Sequence, residues 1–177
     1  MAANKMPVCP HCGSKQVSRI ESFYHCDKCE NDFGREVLSD NGKPIAEEAV
    51  GLRFRIGDYL TGSIHLRIQE DEGSCLYEVY SSTNGGADKV ADVLPMEDWK
   101  KLKETLINEL YFNDWEKEYL PVNDGQGIRD DKPWEISLIV SEDESISYRG
   151  VGEHPVYWNA LVKLVDPFFA KLDIENK

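Results

Sequence analysis

Between residues 52 and 94, apolar and polar side chains alternate with a period of two, the mark of strands that bury one face. Leu52-Arg53-Phe54-Arg55-Ile56 alternates apolar with basic. Gly62 to Ile68 repeats the pattern, with Ile64, Leu66 and Ile68 on one side. Asp71-Glu72-Gly73 is turn chemistry, and Leu76-Tyr77-Glu78-Val79-Tyr80 returns after it, so the pair predicts a hairpin. Asn84-Gly85-Gly86 turns the chain again before a weaker alternation from Lys89 to Leu94.

The period changes at Pro95. Met96, Trp99, Leu102, Leu106 and Leu110 recur at three- and four-residue spacing and predict a helix with one apolar face. Pro95 suits its first turn, and Glu97 and Asp98 suit the positive end of its dipole. Trp115 and Tyr119 continue the spacing, which predicts a second short helix jointed at Asn113-Asp114. A loop follows from Pro121 to Gly127. Trp134 to Val140 and Ser145 to Val151 alternate once more around Asp143-Glu144. From Pro155 onward, Trp158, Leu161, Val162, Val165, Phe168, Phe169 and Leu172 predict a C-terminal helix that Pro167 should kink or split. The order predicts an α+β domain, an antiparallel sheet covered on one face by two or three helices.

The N-terminal segment follows another logic. Ser39-Asp40-Asn41-Gly42-Lys43-Pro44 is turn and linker chemistry. The chain therefore divides into a small module over residues 1–38, a linker over 39–50 and the α+β domain over 51–177. Inside the module, Cys9-Pro10-His11-Cys12-Gly13 is answered by Cys26-Asp27-Lys28-Cys29, with thirteen residues between Cys12 and Cys26. Cys9, Cys12, Cys26 and Cys29 offer four thiolates at a spacing suited to tetrahedral zinc. Iron and disulfides are the competing uses of such cysteines. No apolar run follows Met1-Ala2-Ala3-Asn4-Lys5, so a reducing cytoplasm and free thiols are expected. A four-thiolate zinc site is coordinatively closed and cannot activate water, so its expected role is structural. Roughly thirty residues bury little core, and the metal supplies the missing folding energy. His11 and His25 flank the ligands and are expected at the surface or as donors to sulfur.

This layout resembles a zinc ribbon over residues 7–35, on Cys9, Pro10, Cys12, Gly13, Cys26, Cys29 and Phe33. Glu30 stands where many ribbons have glycine after the fourth cysteine. Val17, Ile20, Phe23 and Tyr24 suit a hairpin presenting Cys26, and Phe33 is placed to cover the metal turn.

Charge narrows the choice of partners. The 177 residues carry 20 Lys and Arg against 33 Asp and Glu, a net charge of −13. Five cationic against four acidic side chains give the first 35 residues +1, and fifteen against twenty-nine leave the remainder at −14. Phosphate contacts need a basic face, so nucleic acid is not the expected partner despite the frequent use of ribbons there. No stretch approaches the roughly 18–20 apolar residues of a membrane span. The leading expectation is a zinc-containing binding or scaffold protein with a protein partner. The runner-up is an enzyme, or enzyme subunit, with its site in the second half, where Trp115, Tyr119, Trp134, Tyr148, Tyr157 and Trp158 concentrate. Cys75 with His65 or His154 could form a nucleophilic pair, but no signature accompanies them. Asp124 to Asp131 is a polar loop without EF-hand spacing.

Overall fold

The computed structural model describes residues 5–58, 60–83, 86–121 and 131–175. Three short antiparallel strands, β1 (Val17–Ile20), β2 (Phe23–Cys26) and β3 (Asp32–Phe33), form the N-terminal sheet in the order β1-β2-β3. A single-turn helix, α1 (Ile45–Glu48), leads into the larger sheet. Strands β4 (Gly51–Asp58), β5 (Gly62–Asp71), β6 (Ser74–Thr83) and β7 (Gly86–Val93) run as an antiparallel meander. After α2 (Met96–Glu104), the two-residue β8 (Glu118–Tyr119) precedes β9 (Pro133–Ile139) and β10 (Ser145–Val151), and α3 (Trp158–Glu175) closes the fold. The seven strands lie in the order β7-β6-β5-β4-β9-β10-β8, and only β8 joins in parallel. The architecture is α+β: a small three-stranded sheet bearing the cysteines, then a mostly antiparallel seven-stranded sheet with three helices.

The alternation read from the sequence decides which face is covered. Leu52 and Phe54 of β4, Leu66 and Ile68 of β5, Tyr77 and Val79 of β6, and Trp134, Ile136 and Leu138 of β9 are buried. They share one core with Ile45 of α1, Trp99 and Leu102 of α2, and Leu161 and Val165 of α3. Their neighbours in sequence, Arg53, Arg55, Arg67 and Glu135 among them, point to solvent on the other face. Within the stretch 39–50, Ile45 and Ala49 belong to the main core. Lys103, 4% exposed, donates to Ala49 O at 2.9 Å, so a carbonyl at the end of α1 is satisfied from α2.

Two helix expectations need correction. No second helix runs through Trp115 and Tyr119. Leu110 N–H instead donates to Thr105 O, closing a π-helical turn over Thr105–Glu109, and Tyr111 then turns left-handed at φ 52°. A 3₁₀ turn (Phe112–Asp114) and β8 follow. Phe112 and Trp115 point into the core against Tyr148, and the helical spacing of Trp115 and Tyr119 is coincidental. Pro167 does not split α3, which runs unbroken from Trp158 to Glu175. Proline removes one intrahelical hydrogen bond, and burial of Leu161, Val165 and Leu172 on either side holds the helix together. Asn84-Gly85 and most of the polar loop at 124–131 lie outside the described residues.

Gly150 of β10 sits opposite Trp134 of β9. A Cβ there would lie 2.6 Å from Trp134 Nε1, which donates to Glu153 O at 2.9 Å. Trp134 is 1% exposed and has nowhere to retreat. Gly150→Ala is therefore expected to cost about 1–3 kcal/mol by overpacking, read from urea melts of the full chain. An unchanged midpoint would show that the indole has room to move.

Candidate metal centre

The two Cys-x-x-Cys turns are built alike. Gly13 N–H donates to Cys9 O and Cys9 N–H to Ser14 O, both at 2.9 Å. Glu30 N–H donates to Cys26 O and Cys26 N–H to Asn31 O, again at 2.9 Å. The residue after each pair is left-handed, Gly13 at φ 73° and Glu30 at φ 60°. Glycine adopts this conformation freely, whereas a side chain there costs about 1 kcal/mol or more. Glu30 thus keeps the turn that a glycine would make, at an energetic cost. The β1–β2 hairpin carries Cys26 at its end, and β3 follows the second turn.

These turns aim all four sulfurs at one point. Cys9, Cys12, Cys26 and Cys29 place their Sγ atoms within 4.8 Å of one another. Cys9 and Cys29 are 3.7 Å apart, and Cys12 and Cys26 3.6 Å. Sulfurs about 2.3 Å from a shared tetrahedral ion lie about 3.8 Å apart, so the cluster is positioned to bind a metal ion. A disulfide would require about 2.05 Å, and all five cysteines are free.

The thiols differ in their hold on a proton. Burial pushes Cys9 up to about 12, against hydrogen bonds from the Cys12 and His11 backbone. Burial also raises Cys29, but hydrogen bonds from the backbone and side chain of Asn31 and from Cys12 and Cys26 outweigh it, bringing Cys29 down to about 7. A metal that binds all four must displace the proton held by Cys9. Both histidines are engaged elsewhere: His25 Nδ1 is 2.8 Å from Asp32, and His11 Nδ1 is 3.4 Å from Glu116.

The cluster leans on the rest of the fold through aromatic rings. Cys9, Cys26 and Phe33 are fully buried, and Tyr111, which follows α2 and the π-helical turn, completes their small core. Tyr111 meets Phe33 edge-on at 5.0 Å, Tyr24 at 6.1 Å and Tyr157 at 5.6 Å. Tyr157 Oη donates to Val8 O at 2.6 Å and lies 3.0 Å from Val8 N, one residue from the first ligand. Gly34 N–H donates to Asp114 Oδ2 at 2.9 Å. Beside this seam lies a cleft of about 600 Å³, bounded by Tyr24, Arg35, Ile107, Asn108, Tyr111 and Asp114.

Burial holds the Asp114 carboxyl above the usual range, although the Gly34 amide and His11 pull it back. A raised folded value means that Asp114 favours folding below the ordinary 3.8 and loses that contribution as pH rises through the folded value. Asp114→Asn keeps an acceptor for Gly34 and removes the charge. The variant's melting temperature relative to the parent's is therefore expected to climb as pH rises above 3.8 toward neutrality. A parent that gained on the variant with rising pH would contradict the sign.

The other sequence candidates do not converge. Cys75 is 1% exposed on the core face, with its thiol pushed up to about 11 by burial and then by Glu70. His65 stacks on Tyr80 at 4.3 Å on the opposite face of the sheet. His154 lies against Trp158 at 4.3 Å. Trp115, Trp134 and Tyr148 are core residues. The sequence passes over Tyr111 and offers Asp114 only as part of a helix joint, because nothing local marks either as facing the cysteines. Among the described residues, no helix is long and apolar enough to cross a membrane. No protein-family model, curated protein or solved structure matches the chain.

Proposed function

We propose that residues 7–35 form a zinc ribbon with a structural ion, and that the chain is a protein-interaction module of a reducing, cytoplasmic environment. The observation carrying the metal reading is the four-sulfur cluster itself. Four thiolates fill every position of a tetrahedral ion, leaving none for water or substrate. Zinc in that set would supply cohesion and no reaction. Cys9, Cys12, Cys26 and Cys29 would hold it, while Phe33 and Tyr111 shield the buried sulfurs. Five free thiols suit a reducing compartment.

The binding role is supported by the seven-stranded sheet, of which one face packs the core and the other is open and charged. Elemental analysis of tag-free protein is expected to give one zinc per chain. Capture on immobilised full-length protein, with quantitative mass spectrometry, is expected to recover a near-stoichiometric protein partner. Recovery of none, from the source cells under reducing conditions, would sink the interaction reading.

One observation favours a second reading, a small-molecule or catalytic site in the seam cleft. Tyr111 in a left-handed conformation, a π-helical turn and the half-buried Asp114 carboxyl meet there. Strain and π turns of this kind concentrate at functional sites. Asn113, whose Oδ1 is buried without a hydrogen-bond partner, borders the same cleft. A metabolite panel that raises the melting temperature of the parent but not of Asp114→Asn would favour this reading.

A further inference from the structure

Four of the chain's seven arginines, Arg53, Arg55, Arg67 and Arg149, lie on the uncovered face of the seven-stranded sheet. Strand register arranges them in two rows. Arg55 stands between His65 and Glu135, and Glu135 is followed by Arg149. In this row the charges are paired, Arg55 with Glu135 at 3.2 Å and Arg149 with Glu118. The next row differs. Arg53 of β4 sits directly opposite Arg67 of β5, and Ser137 and Ser147 continue the row. Glu78 is the cross-strand partner of Arg67, yet its carboxylate pairs with Lys89 at 3.0 Å. Arg67 donates only to the neutral Gln69, at 2.8 Å. Among the described residues neither Arg53 nor Arg67 has a carboxylate partner.

Like charges directly opposite one another destabilise a sheet. A chain with 33 acidic residues nonetheless leaves these two guanidiniums unneutralised side by side. Departures of this kind from local consistency gather at functional sites. The surface is also shaped. Arg53, Arg55, His65, Arg67, Tyr80 and Ser137 border a groove of about 430 Å³. A second hollow of about 270 Å³ is lined by Arg67, Gln69, Asp71, Leu76 and Glu78, the last with its carboxylate already paired to Lys89. Leu76 and its neighbour Val93 are 51% and 60% exposed, an apolar corner beside the arginines.

Deepening the interaction reading above, we infer that this face docks an acidic segment of a partner protein, with a carboxylate held between Arg53 and Arg67. Guanidinium groups suit carboxylates in bidentate fashion. Leu76 lies one strand and two residues from Arg67, roughly 8 Å, the reach of two or three extended residues. An acidic residue on the arginines thus places an apolar residue of the same segment on Leu76 and Val93. Two arginines without carboxylate partners make a clamp for one carboxylate and not a track for a run of phosphates, which argues against a nucleic acid as occupant.

The test is fluorescence anisotropy of the full chain with a labelled peptide carrying glutamates and a leucine at this spacing. The same peptide with glutamines serves as control. Binding is expected to weaken about tenfold or more for the glutamine peptide, and likewise in Arg53→Gln and Arg67→Gln. Both variants should melt at or above the parent temperature, because each removes a like-charge pair. Equal binding of the two peptides, or variants that bind like the parent, would overturn the inference. So would no binding at all. Tighter arginine-dependent binding of a labelled oligothymidine would replace it with a nucleic-acid site. Self-association of the parent, lost in both variants by sedimentation, would replace it with a second copy of the chain. A stoichiometric partner that is captured equally by Arg53→Gln would sink this surface while leaving the interaction reading standing.

Discussion

Replacing Cys26 by Ser is expected to release the metal and unfold residues 7–35, with the seven-stranded sheet still folded. Cys26 is fully buried, and its Sγ lies 3.6 Å from that of Cys12. Its backbone also ties the second turn through Glu30 and Asn31. Apart from Cys9, Pro10, Cys26 and Phe33, the module has no buried apolar residue of its own among those described. A core that small cannot offset the ordering of some thirty residues, at about 1–2 kcal/mol each for the backbone alone. Structural zinc supplies an apparent 10–16 kcal/mol or so in such modules, so losing one ligand removes most of what holds this one together. Hydrogen exchange is the direct readout. Amides of β1, β2 and β3 should lose protection, while those of β4, β5 and β9 keep theirs. Chelation under reducing conditions should reproduce the pattern in the parent. Retained protection in β1 to β3 would show that the module folds without metal.

Tyr111→Ala is expected to cost about 3–5 kcal/mol, the range for deleting a buried aromatic ring, and to uncouple the two sheets. Tyr111 is 7% exposed and touches Tyr24, Phe33 and Tyr157 at once. Alanine loses those contacts and still faces the left-handed backbone at φ 52°. What then joins residues 7–35 to the rest of the fold is mainly polar: the Val8–Tyr157 pair, the Gly34–Asp114 bond and the exposed His11–Glu116 contact. Calorimetry should therefore change from one transition to two, the metal-dependent one moving with added chelator. A single transition at the parent's temperature would mean that the ring is not the keystone. Tyr111→Phe is the control, since it keeps the ring and is expected to melt close to the parent.

The period-two stretches at Leu52–Ile56 and Gly62–Ile68 were sufficient to locate β4 and β5, because one face of each is packed and the other wet. The cysteine spacing was equally plain, since two tight turns leave little freedom in where the sulfurs point. Trp115 and Tyr119 misled because helical spacing is a local property. Tyr111 breaks the helix through tertiary contacts with Phe33 and Tyr157 that no local pattern encodes. The arginine pair was half legible: the alternation of Arg53 and Arg55 with apolar residues is visible in the chain. That Arg53 stands opposite Arg67 depends on strand register, and register is set by the whole sheet. Glu30 illustrates the converse, a residue that departs from the ribbon pattern and yet occupies the same left-handed position as Gly13.

Zinc-edge X-ray absorption on tag-free protein, purified under reducing conditions, bears most directly on the metal centre. The four-cysteine reading requires one zinc per chain with four sulfur neighbours at about 2.3 Å and no lighter scatterer in the first shell. Iron as the principal metal, or a nitrogen or oxygen neighbour in place of a sulfur, would contradict a closed structural site built from Cys9, Cys12, Cys26 and Cys29.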